Sequence, residues 1–510
     1  MRRIIGRIII VIPAVVLQAL WYFLVLSFFN RLLNGHLGDI LNAVFSILAI
    51  IFATSLVAKT DESSYRLLWV MVIMATPVLG AFLYLMFGNK SSGIRLKKKM
   101  EDSYYKLSSQ KSSDAEYNLR AIRKENIRLE QTLGHITDST GFPVLRNESA
   151  KYYPFGEDMF EDMCEDLRQA RDYIYVEYFI IKSGVFWDTL TDIMAERAIA
   201  GVDVRVIYDD LGSIGTYSGS DIRNLRKRGI RCIAFNPFFL IRSQLNNRDH
   251  RKIMVIDGKI AYSGGINLGD EYINKDVRFG RWKDIGFRLT GEGVLSYTYM
   301  FTEFWNAFAD DKIPKSEIEK RYDIEGSVAD GYVLPYYDSP MRSEHTSNEL
   351  FTEILSTATH YVWFYKPYLI LGDTLYDAFL RAAKRGVDVR IIMPGIPDKK
   401  MIFRLSRSYY EELIKAGVKI FEYTPGFVHA KAFIADDVVA GIGSVNLDYR
   451  SLFLHFECNA VFYKASIIGD LKKDFENTQD DCKEIFSRDI NRGPIHRFVN
   501  NVLRVFAPLL

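Results

Sequence analysis

The stretch NNRDHRKIMVIDGKIAYSGGIN, Asn246 to Asn267, has a counterpart in VHAKAFIADDVVAGIGSVN, Val428 to Asn446. In each stretch a histidine and a lysine stand two residues apart, just before an apolar run that is typical of a buried strand. Alternate residues of a strand share one face, so we expect each histidine and lysine to point the same way. The shared pattern consists of His250, Lys252, Asp257 and Asn267 in the first stretch and His429, Lys431, Asp436 and Asn446 in the second.

The two stretches close the two copies of an internal repeat. The second histidine follows the first by 179 residues, and Gly201–Arg205 is identical to Gly386–Arg390. Each copy alternates short β-rich runs with amphipathic helical stretches, which predicts an α/β fold. A repeat this long is a duplicated domain and not a solenoid. We predict two domains related by a pseudo-two-fold, over residues 141–320 and 321–487.

The residue types in the repeated pattern suit chemistry at a phosphate. A neutral imidazole attacks phosphorus, and a second, protonated imidazole donates a proton to the leaving oxygen. Lysine and asparagine bind the non-bridging oxygens. Each copy supplies one histidine, so the repeat is predicted to assemble a nucleophile and an acid around one phosphate, with phosphate contacts from Lys252, Lys431, Asn267 and Asn446.

Each histidine also requires a partner that fixes its tautomer. The candidates are Asp284 in WKDIGFRL and Glu457 in HFECNAVF, which follow the two asparagines. Asp257 and Asp436 belong to the predicted catalytic motif, although their position before a turn favours a structural role. Other polar residues outside the motif are interpreted as structural, with substrate contact as the alternative for the first two: Glu177, Lys366, Asp209, Asp210 and His455.

The N-terminal region, residues 1–90, is predicted to be a membrane anchor of two or three hydrophobic helices. Ile8–Phe29 is free of charged residues and long enough to span a bilayer, and Leu67–Phe87 is equally apolar. Ile40–Val57 is borderline in length. The basic residues at 90–99 favour a cytoplasmic position for the chain that follows, whereas the arginines near the N-terminus compete for the same side.

Three further segments lie outside the two domains or interrupt them. Residues 91–140 are polar with helical patterning and are predicted to form a linker helix. Residues 488–510 are predicted to form a C-terminal amphipathic helix, either at a membrane interface or packed on the protein's own core. The apolar insertion Phe238–Ile241, which precedes His250, either lines an acyl-chain entrance or packs on neighbouring helices.

Composition narrows the class of protein. A net charge of +2 argues against a dedicated nucleic-acid binder. The four cysteines are scattered, with no CxxC pair, and indicate neither a disulfide framework nor a zinc site. No cluster of carboxylates or histidines predicts a metal, so no metal and no cofactor are expected.

The doubled HxKxxxxDxxxxxxG(G/S)xN signature resembles the phospholipase D superfamily from about Leu145 to Ser487. HRKIMVIDGKIAYSGGINLGDEY, WKDIGFRLTG and GSVNLDYRSLFLHFE resemble bacterial cardiolipin synthase. The resemblance implies metal-free conversion of two phosphatidylglycerols to cardiolipin and glycerol through a phosphatidyl-histidine. It also implies His250 as the nucleophile, His429 as the acid, and a multi-pass protein of the bacterial plasma membrane with cytoplasmic catalytic domains.

Other functions stay open at this point. A membrane-bound phospholipase D or phosphatidylserine synthase has the same motifs but uses water or serine as acceptor. A nuclease of the same superfamily is disfavoured by the near-neutral charge, and a non-enzymatic scaffold by the two intact motifs. The expected partners are phosphatidylglycerol and membrane lipid, with no nucleic acid, and the sequence gives no oligomeric state.

Overall fold

The computed structural model describes residues 36–59, 62–88, 96–100, 103, 113–237, 246–320, 329–490 and 493–509. The predicted span Ile8–Phe29 and the insertion Phe238–Ile241 lie outside the described residues. The chain divides into two compact units. One contains the described residues up to Gly88 together with Val502–Leu509, and the other contains nearly all of the chain between them.

The first unit is helical. Its helices are α1 His36–Val57, α2 Ser63–Ala75 and α3 Pro77–Leu83, followed by the π-helical turn Tyr84–Gly88. Aromatic side chains dominate its small core, where Trp69 packs edge-on against Tyr65 and Tyr84.

The apolar run Leu67–Phe87 differs from the single span that its composition predicts. It divides at Thr76, whose φ of −141° and ψ of 80° lie outside the helical region. The following Pro77 accounts for the break, because proline disfavours the helical conformation of the residue before it. Within the part of the chain that the structure describes, no helix is both long enough and apolar enough to cross a membrane.

The second unit is built on two sheets and a two-stranded ribbon. Its strands are β1 Leu145–Arg146, β2 Ser149–Tyr153, β3 Tyr173–Tyr178, β4 Asp203–Asp209, β5 Arg231–Phe235, β6 Lys252–Ile256, β7 Ile260–Gly264, β8 Arg281–Lys283, β9 Gly286–Thr290, β10 Tyr332–Asp338, β11 Tyr361–Tyr365, β12 Asp388–Pro394, β13 Lys419–Tyr423, β14 Gly426–Val428, β15 Ala432–Ala435, β16 Val439–Gly443, β17 Glu457–Tyr463 and β18 Cys482–Ile485.

Helices connect these strands and cover the sheets. They are α4 Ser113–Arg123, α5 Ile127–Thr140, α6 Gly156–Gln169, α7 Val185–Ile199, α8 Gly219–Lys227, α9 Gly293–Phe308, α10 Lys315–Lys320, α11 Thr346–Thr357, α12 Asp373–Lys384, α13 Lys400–Ser408, α14 Tyr410–Ala416, α15 Tyr449–Phe453 and α16 Ile467–Asp480. The helix α17 Pro494–Val505 begins in this unit and ends in the first. Short 3₁₀ turns occupy Asp270–Ile273, Ser487–Asp489 and Ala507–Leu509.

The two sheets repeat one strand order, which confirms the predicted duplicated α/β fold. The first runs β2-β9-β7-β6-β3-β4-β5, and the second contains β10-β17-β16-β15-β11-β12-β13 in the corresponding places. In both, three consecutive strands are parallel and the remaining neighbours are antiparallel. The second sheet is longer, because β1 and β18 pair at its two edges.

Segments flanking the repeat belong to the same packed unit. The region interpreted as one linker helix contains two helices, α4 and α5, and α5 buries Leu129, Leu133 and Ile136. The strand β1 pairs with β10 of the second sheet, although its position in the chain falls within the predicted first domain.

The helix α9 ties the two sheets together. It is buried along most of its length and packs against β3, β6, β7 and β9 of the first sheet and β10 of the second. Across the same boundary, the rings of Phe287 and Phe462 meet edge-on at 5.5 Å. The two domains therefore share one apolar core, which holds their motif strands in a fixed relation.

Candidate active site

Both histidine–lysine pairs lie at the starts of central strands. His250 precedes β6 and His429 precedes β15, and each strand is flanked on both sides within its sheet. Both histidines are nearly buried, and Lys252 and Lys431 are 1% exposed. Each lysine ammonium donates to the carbonyl of its own histidine, with 2.5 Å between Lys252 Nζ and the His250 oxygen.

The segment before each histidine pairs with the opposite domain. The N–H of His250 donates to the Phe456 carbonyl at 2.8 Å, directly before Glu457. The N–H of His429 donates to the Lys283 carbonyl at 2.7 Å, directly before Asp284, and β14 pairs with β8 in parallel. These reciprocal backbone contacts bring both motifs to one place between the domains.

The side chains follow the same crossed arrangement. Nδ1 of His250 lies 2.8 Å from Oε2 of Glu457, and Nδ1 of His429 lies 2.6 Å from Oδ2 of Asp284. Opposite an ionised carboxylate, which only accepts hydrogen bonds, Nδ1 carries the proton and donates, which leaves Nε2 with its lone pair. Lys431 Nζ also lies 2.8 Å from His429 Nδ1, so that contact is an approach of the ammonium and not a second hydrogen bond to a protonated Nδ1. Each domain's acid therefore orients the histidine of the other domain.

Burial disfavours the charged forms of the histidines and lysines at the site. It lowers the pKa of His250 well below the usual value, and Lys252 lowers it further. It lowers the pKa of His429 to about 4, with Lys431 adding to the effect and Asp284 opposing it. Burial also lowers the pKa of Lys252 to about 8 and that of Lys431 to about 7. A bound anion would favour the charged lysines and so restore their pKa values.

The two motif asparagines have different surroundings. The N–H of Ile180 donates to Asn267 Oδ1 at 3.2 Å, and Asn267 Nδ2 donates to the Tyr272 hydroxyl at 2.7 Å. Asn446 is 5% exposed, and within the described structure its Oδ1 has no hydrogen-bond partner. The side-chain amide of Asn446 therefore keeps more hydrogen-bonding capacity for a substrate than that of Asn267.

The aspartates of the motif face away from this chemistry. Asp257 accepts hydrogen bonds from the backbone N–H groups of residues 171–173, and Asp436 accepts them from those of residues 359–361. Both have a positive φ, of 53° and 51°, in the turn after the motif strand. We therefore assign both aspartates a structural role, that of anchoring this turn to the start of β3 or β11.

We predict that Asp257→Ala lowers the free energy of unfolding by about 3 kcal/mol, because three backbone donors lose a charged acceptor. Denaturant unfolding of the purified variant measures this loss, and Asp436→Ala is its counterpart in the second domain. Activity per folded molecule should stay within roughly twofold of the parent's. A stable variant with abolished turnover would instead return these aspartates to the catalytic set.

The two half-sites are not identical. Ser444 donates from its hydroxyl to Glu457 Oε2 at 2.5 Å, the same oxygen that faces His250. Its counterpart in the first motif is Gly265, where an added Cβ would lie 2.1 Å from Asp284 Oδ1. The shorter acid therefore requires glycine beside it, while the longer acid gains a hydroxyl donor.

Lys366 lies beside the motif residue Lys431, although its sequence context favours a structural role. It stands one residue beyond β11, in register with Lys431, and its Nζ donates to the Val445 carbonyl at 2.8 Å. Burial lowers its pKa to about 7, and Lys431 lowers it further. The corresponding residue of the first domain, opposite Lys252, is Tyr178. Aligning the two repeats on their motif lysines identifies this third cation.

His455 also lies at the site, although it is outside the motif. Its ring centroid is 6.3 Å from that of His250, and its Nε2 is buried without a hydrogen-bond partner among the described residues. Aromatic rings complete the walls, with Phe179 at 4.8 Å from the His250 ring and Tyr272 and Trp282 at 5.5 Å from the His429 ring. Trp282 belongs to β8, Tyr272 to the 3₁₀ turn Asp270–Ile273, and Phe179 directly follows β3.

Other polar residues near the motif support the loop before His250. Glu177 and Arg251 form a buried ion pair, and Arg251 Nε lies 3.0 Å from Asp249 Oδ1. The N–H of Asp249 donates to Asp209 at 3.0 Å. Among the described residues, no three His, Cys, Asp or Glu side chains are grouped as ligands for a metal ion.

Comparison with known proteins gives the family. The family described as "Cardiolipin synthase, PLD-like domain" matches residues 163–277 and 351–479, and the "Phospholipase_D-nuclease N-terminal" family matches residues 44–89. A cardiolipin synthase of Alkalihalophilus pseudofirmus is 32% identical over 94% of this chain and 95% of its own length. The chain belongs to the cardiolipin synthase family. It is accordingly an enzyme that transfers phosphatidyl groups.

Other members of the cardiolipin synthase family match over similar lengths. Cardiolipin synthase 2 of Bacillus anthracis is 33% identical over 91% of each chain, and a cardiolipin synthase of a Geobacillus species is 33% identical over 99% of each. The crystal structure of phosphatidylserine synthase from Haemophilus influenzae superposes with a TM-score of 0.57 at 15% identity, over 75% of this chain and 98% of that one. That likeness shows the phospholipase D-like two-domain α/β fold.

Proposed function

We propose that this family member converts two phosphatidylglycerols to cardiolipin and glycerol in two transfers at one site. The observation that carries the proposal is the crossed pairing of His250 with Glu457 and of His429 with Asp284. It fixes a proton on Nδ1 of each imidazole and leaves each Nε2 available. Neutral His250 uses its Nε2 as the nucleophile, and the bound phosphate anion favours the charged form of His429, whose Nε2 then carries the proton for the leaving oxygen.

In the first transfer, Nε2 of His250 attacks the phosphorus of one phosphatidylglycerol. The phosphorus–oxygen bond to the headgroup glycerol breaks, and protonated His429 gives its proton to that oxygen. In the second transfer, His429 takes the proton of a headgroup hydroxyl on another phosphatidylglycerol. The freed oxygen attacks phosphorus, the phosphorus–nitrogen bond breaks, and cardiolipin leaves with His250 neutral again.

The lysines supply the positive charge for the phosphate. Lys252 and Lys431 influence the pKa values of both histidines, so their charges act on one small space. Asn446, whose Oδ1 has no hydrogen-bond partner among the described residues, contributes an amide whose N–H groups suit a phosphoryl oxygen, and Asn267 contributes the equivalent group from the first domain. Hydrogen bonds in a buried site are worth most where charge develops in the transition state.

A lipid-product assay tests the proposal. Purified protein supplied with phosphatidylglycerol alone should yield cardiolipin and glycerol in equal amounts. Phosphatidic acid as the main product would show a phospholipase D, and phosphatidylserine formed only when serine is added would show a serine-dependent synthase. Cleavage of nucleic acid in place of lipid would show a nuclease.

We also propose that the protein is integral to the bacterial plasma membrane, with its catalytic domains in the cytoplasm. Support comes from the uncharged run Ile8–Phe29 and from the basic residues at 90–99 that follow the second apolar region. The substrate is itself a membrane lipid, so an anchored enzyme meets it at high local concentration. Extraction with carbonate, which strips peripheral proteins, should leave this protein in the membrane fraction.

We predict that activity survives exhaustive chelation. Two lysines already provide the charge that a divalent cation would bring to the phosphate, and the imidazoles provide nucleophile and acid without a metal-bound water. Turnover after dialysis against EDTA should match that of untreated enzyme. Loss of turnover that one specific divalent ion restores would refute this mechanism.

We predict that binding of a phosphodiester weakens as pH rises through 7 to 8. The pKa values of Lys431 and Lys252, about 7 and about 8, place both lysines in the charged form below this range and the neutral form above it. A phosphodiester keeps one charge throughout, so only the site titrates. We expect KM for phosphatidylglycerol to be at least roughly tenfold higher at pH 9 than at pH 6.5.

The control for this pH dependence is Lys431→Arg. A guanidinium stays protonated at every pH tested, so the variant should show a smaller rise in KM whatever its maximal rate. A parent enzyme whose KM is flat from pH 6.5 to 9 would contradict the assignment of these lysines as the phosphate ligands.

A further inference from the structure

The C-terminal helix α17 carries an exposed apolar stripe. Ile495, Phe498 and Val502 recur at helical spacing and are 79%, 69% and 40% exposed. No residue of the helix is buried. A helix that packed on the protein's own core would bury this stripe, so the stripe requires another partner.

The opposite side of the helix is held by α13. Arg404 Nε donates to Asn500 Oδ1 at 3.3 Å, and Arg404 Nη2 lies 3.4 Å from His496 Nδ1. His496 and Asn500 are one turn apart on α17, on the face away from Ile495 and Phe498. The polar face of α17 therefore contacts α13, and its apolar face is exposed.

Exposed basic residues lie on α17 and on α13, the helix that contacts it. Arg497 is 58% exposed at its side chain and lies 3.7 Å from Glu411. On α13, Lys400 is exposed and Met401 is 50% exposed, and both neighbour Arg404 on that helix. Lys399 precedes them with a side chain that is 59% exposed. An exposed apolar stripe together with exposed cations on two neighbouring helices is complementary to lipid tails beneath anionic headgroups.

We propose that this C-terminal amphipathic surface, formed by Ile495, Arg497, Phe498, Lys400 and Met401, lies in the interface of an anionic lipid leaflet. Phe498 and Ile495 enter the acyl boundary, and Lys400 and Arg497 contact lipid phosphates. The surface belongs to the same unit as the active site, so it holds that unit at headgroup level. The inference rests on the proposed function only for the identity of the lipid.

The test places an environment-sensitive nitrobenzoxadiazole probe at Phe498→Cys in the full chain. Three of the native cysteines are buried, so Cys482→Ser supplies the background. The matched control is Ile199→Cys, which replaces an isoleucine that is 85% exposed on the end of α7. In vesicles of phosphatidylglycerol and phosphatidylcholine, nitroxide groups on the acyl chains should quench the 498 probe at least roughly twofold more than the 199 probe.

Two results would overturn the inference. One is equal quenching of the two probes. The other is a 498 probe that becomes shielded in detergent as protein concentration rises, which would make the stripe an interface between copies of the chain. Because fluorescence requires no turnover, it stays informative even if the lipid product proves to differ from cardiolipin.

A kinetic arm gives the same inference a second readout. Ile495→Asp with Phe498→Asp should raise KM for phosphatidylglycerol in vesicles by roughly tenfold and leave turnover of a short-chain soluble phosphatidylglycerol unchanged. The soluble substrate also shows that the variant is folded. Equal KM values for variant and parent in vesicles would contradict the proposed lipid contact.

Discussion

Replacing either His250 or His429 by alanine is expected to lower kcat by roughly 10³-fold or more. His250 is the proposed nucleophile and His429 the proposed proton donor, and neither step of the transfer proceeds without both. Since the two act as a unit, the double variant should be hardly slower than either single variant. Cardiolipin formation from radiolabelled phosphatidylglycerol measures all three rates.

His135→Ala is the matched control for this experiment. That imidazole is about half exposed and pairs with Glu349, so its loss should leave cardiolipin formation close to the parent's. A single histidine variant that retains a tenth or more of the parent's kcat would show that one half-site works alone. Strictly multiplicative losses in the double variant would argue against a shared reaction coordinate.

The second large effect is expected at the two orienting acids. Glu457→Gln and Asp284→Asn keep the size of each side chain but remove the carboxylate that fixes the Nδ1–H tautomer. The amide can present its N–H to the ring instead and so stabilise the wrong tautomer. We expect each change to lower kcat by roughly 10³-fold, as loss of an imidazole's orienting carboxylate does elsewhere.

A substrate with a good leaving group distinguishes the two acids. A p-nitrophenyl phosphodiester needs no proton on the departing oxygen, so it should largely rescue release of nitrophenol in variants that lack the acid function. Because the pairing is crossed, the nitrophenyl substrate should restore activity to Asp284→Asn as it does to His429→Ala. It should not restore activity to Glu457→Gln or to His250→Ala. Rescue that groups each acid with the histidine of its own domain would contradict the crossed arrangement.

Much of the fold follows from the repeat. The identical blocks Gly201–Arg205 and Gly386–Arg390 lead into β4 and β12, which hold corresponding places in the two sheets. Strand order follows because the same local patterns fold in the same order. The crossed pairing is different. It depends on the loops before His250 and His429 reaching the opposite domain, and such long-range backbone pairing has no local sequence signal.

The polar residues around the motif also differ in how well the sequence predicts their place at the site. Asp284 and Glu457 are predictable, because Glu457 begins β17 and Asp284 lies two residues before β9, and both strands return beside the motif. Lys366 and His455 are harder to predict, since neither has an equivalent in the other copy and a lone buried cation usually has a structural role. Their position becomes evident only once Lys366 is in register with Lys431 and the rings of His455 and His250 are neighbours.

Hydrophobicity alone also misses how an apolar run is divided. The run Leu67–Phe87 is continuous in composition, but Pro77 separates α2 from α3. In the C-terminal region, the pattern of Ile495, Phe498 and Val502 predicts an amphipathic helix yet leaves its partner open. Exposure in the folded chain turns that open alternative into the lipid contact proposed above.

The central claim is that one site, shared by two domains, transfers the phosphatidyl group through His250. The most direct measurement is rapid denaturing quench of the His429→Ala enzyme after exposure to the nitrophenyl diester of a short-chain phosphatidyl group, followed by mass spectrometry of its peptides. We expect the added phosphatidyl mass on the peptide that contains His250, and no added mass on that peptide in the His250→Ala enzyme. Added mass on His429 in the His250→Ala enzyme, with no added mass on His250 in the His429→Ala enzyme, would contradict transfer through His250.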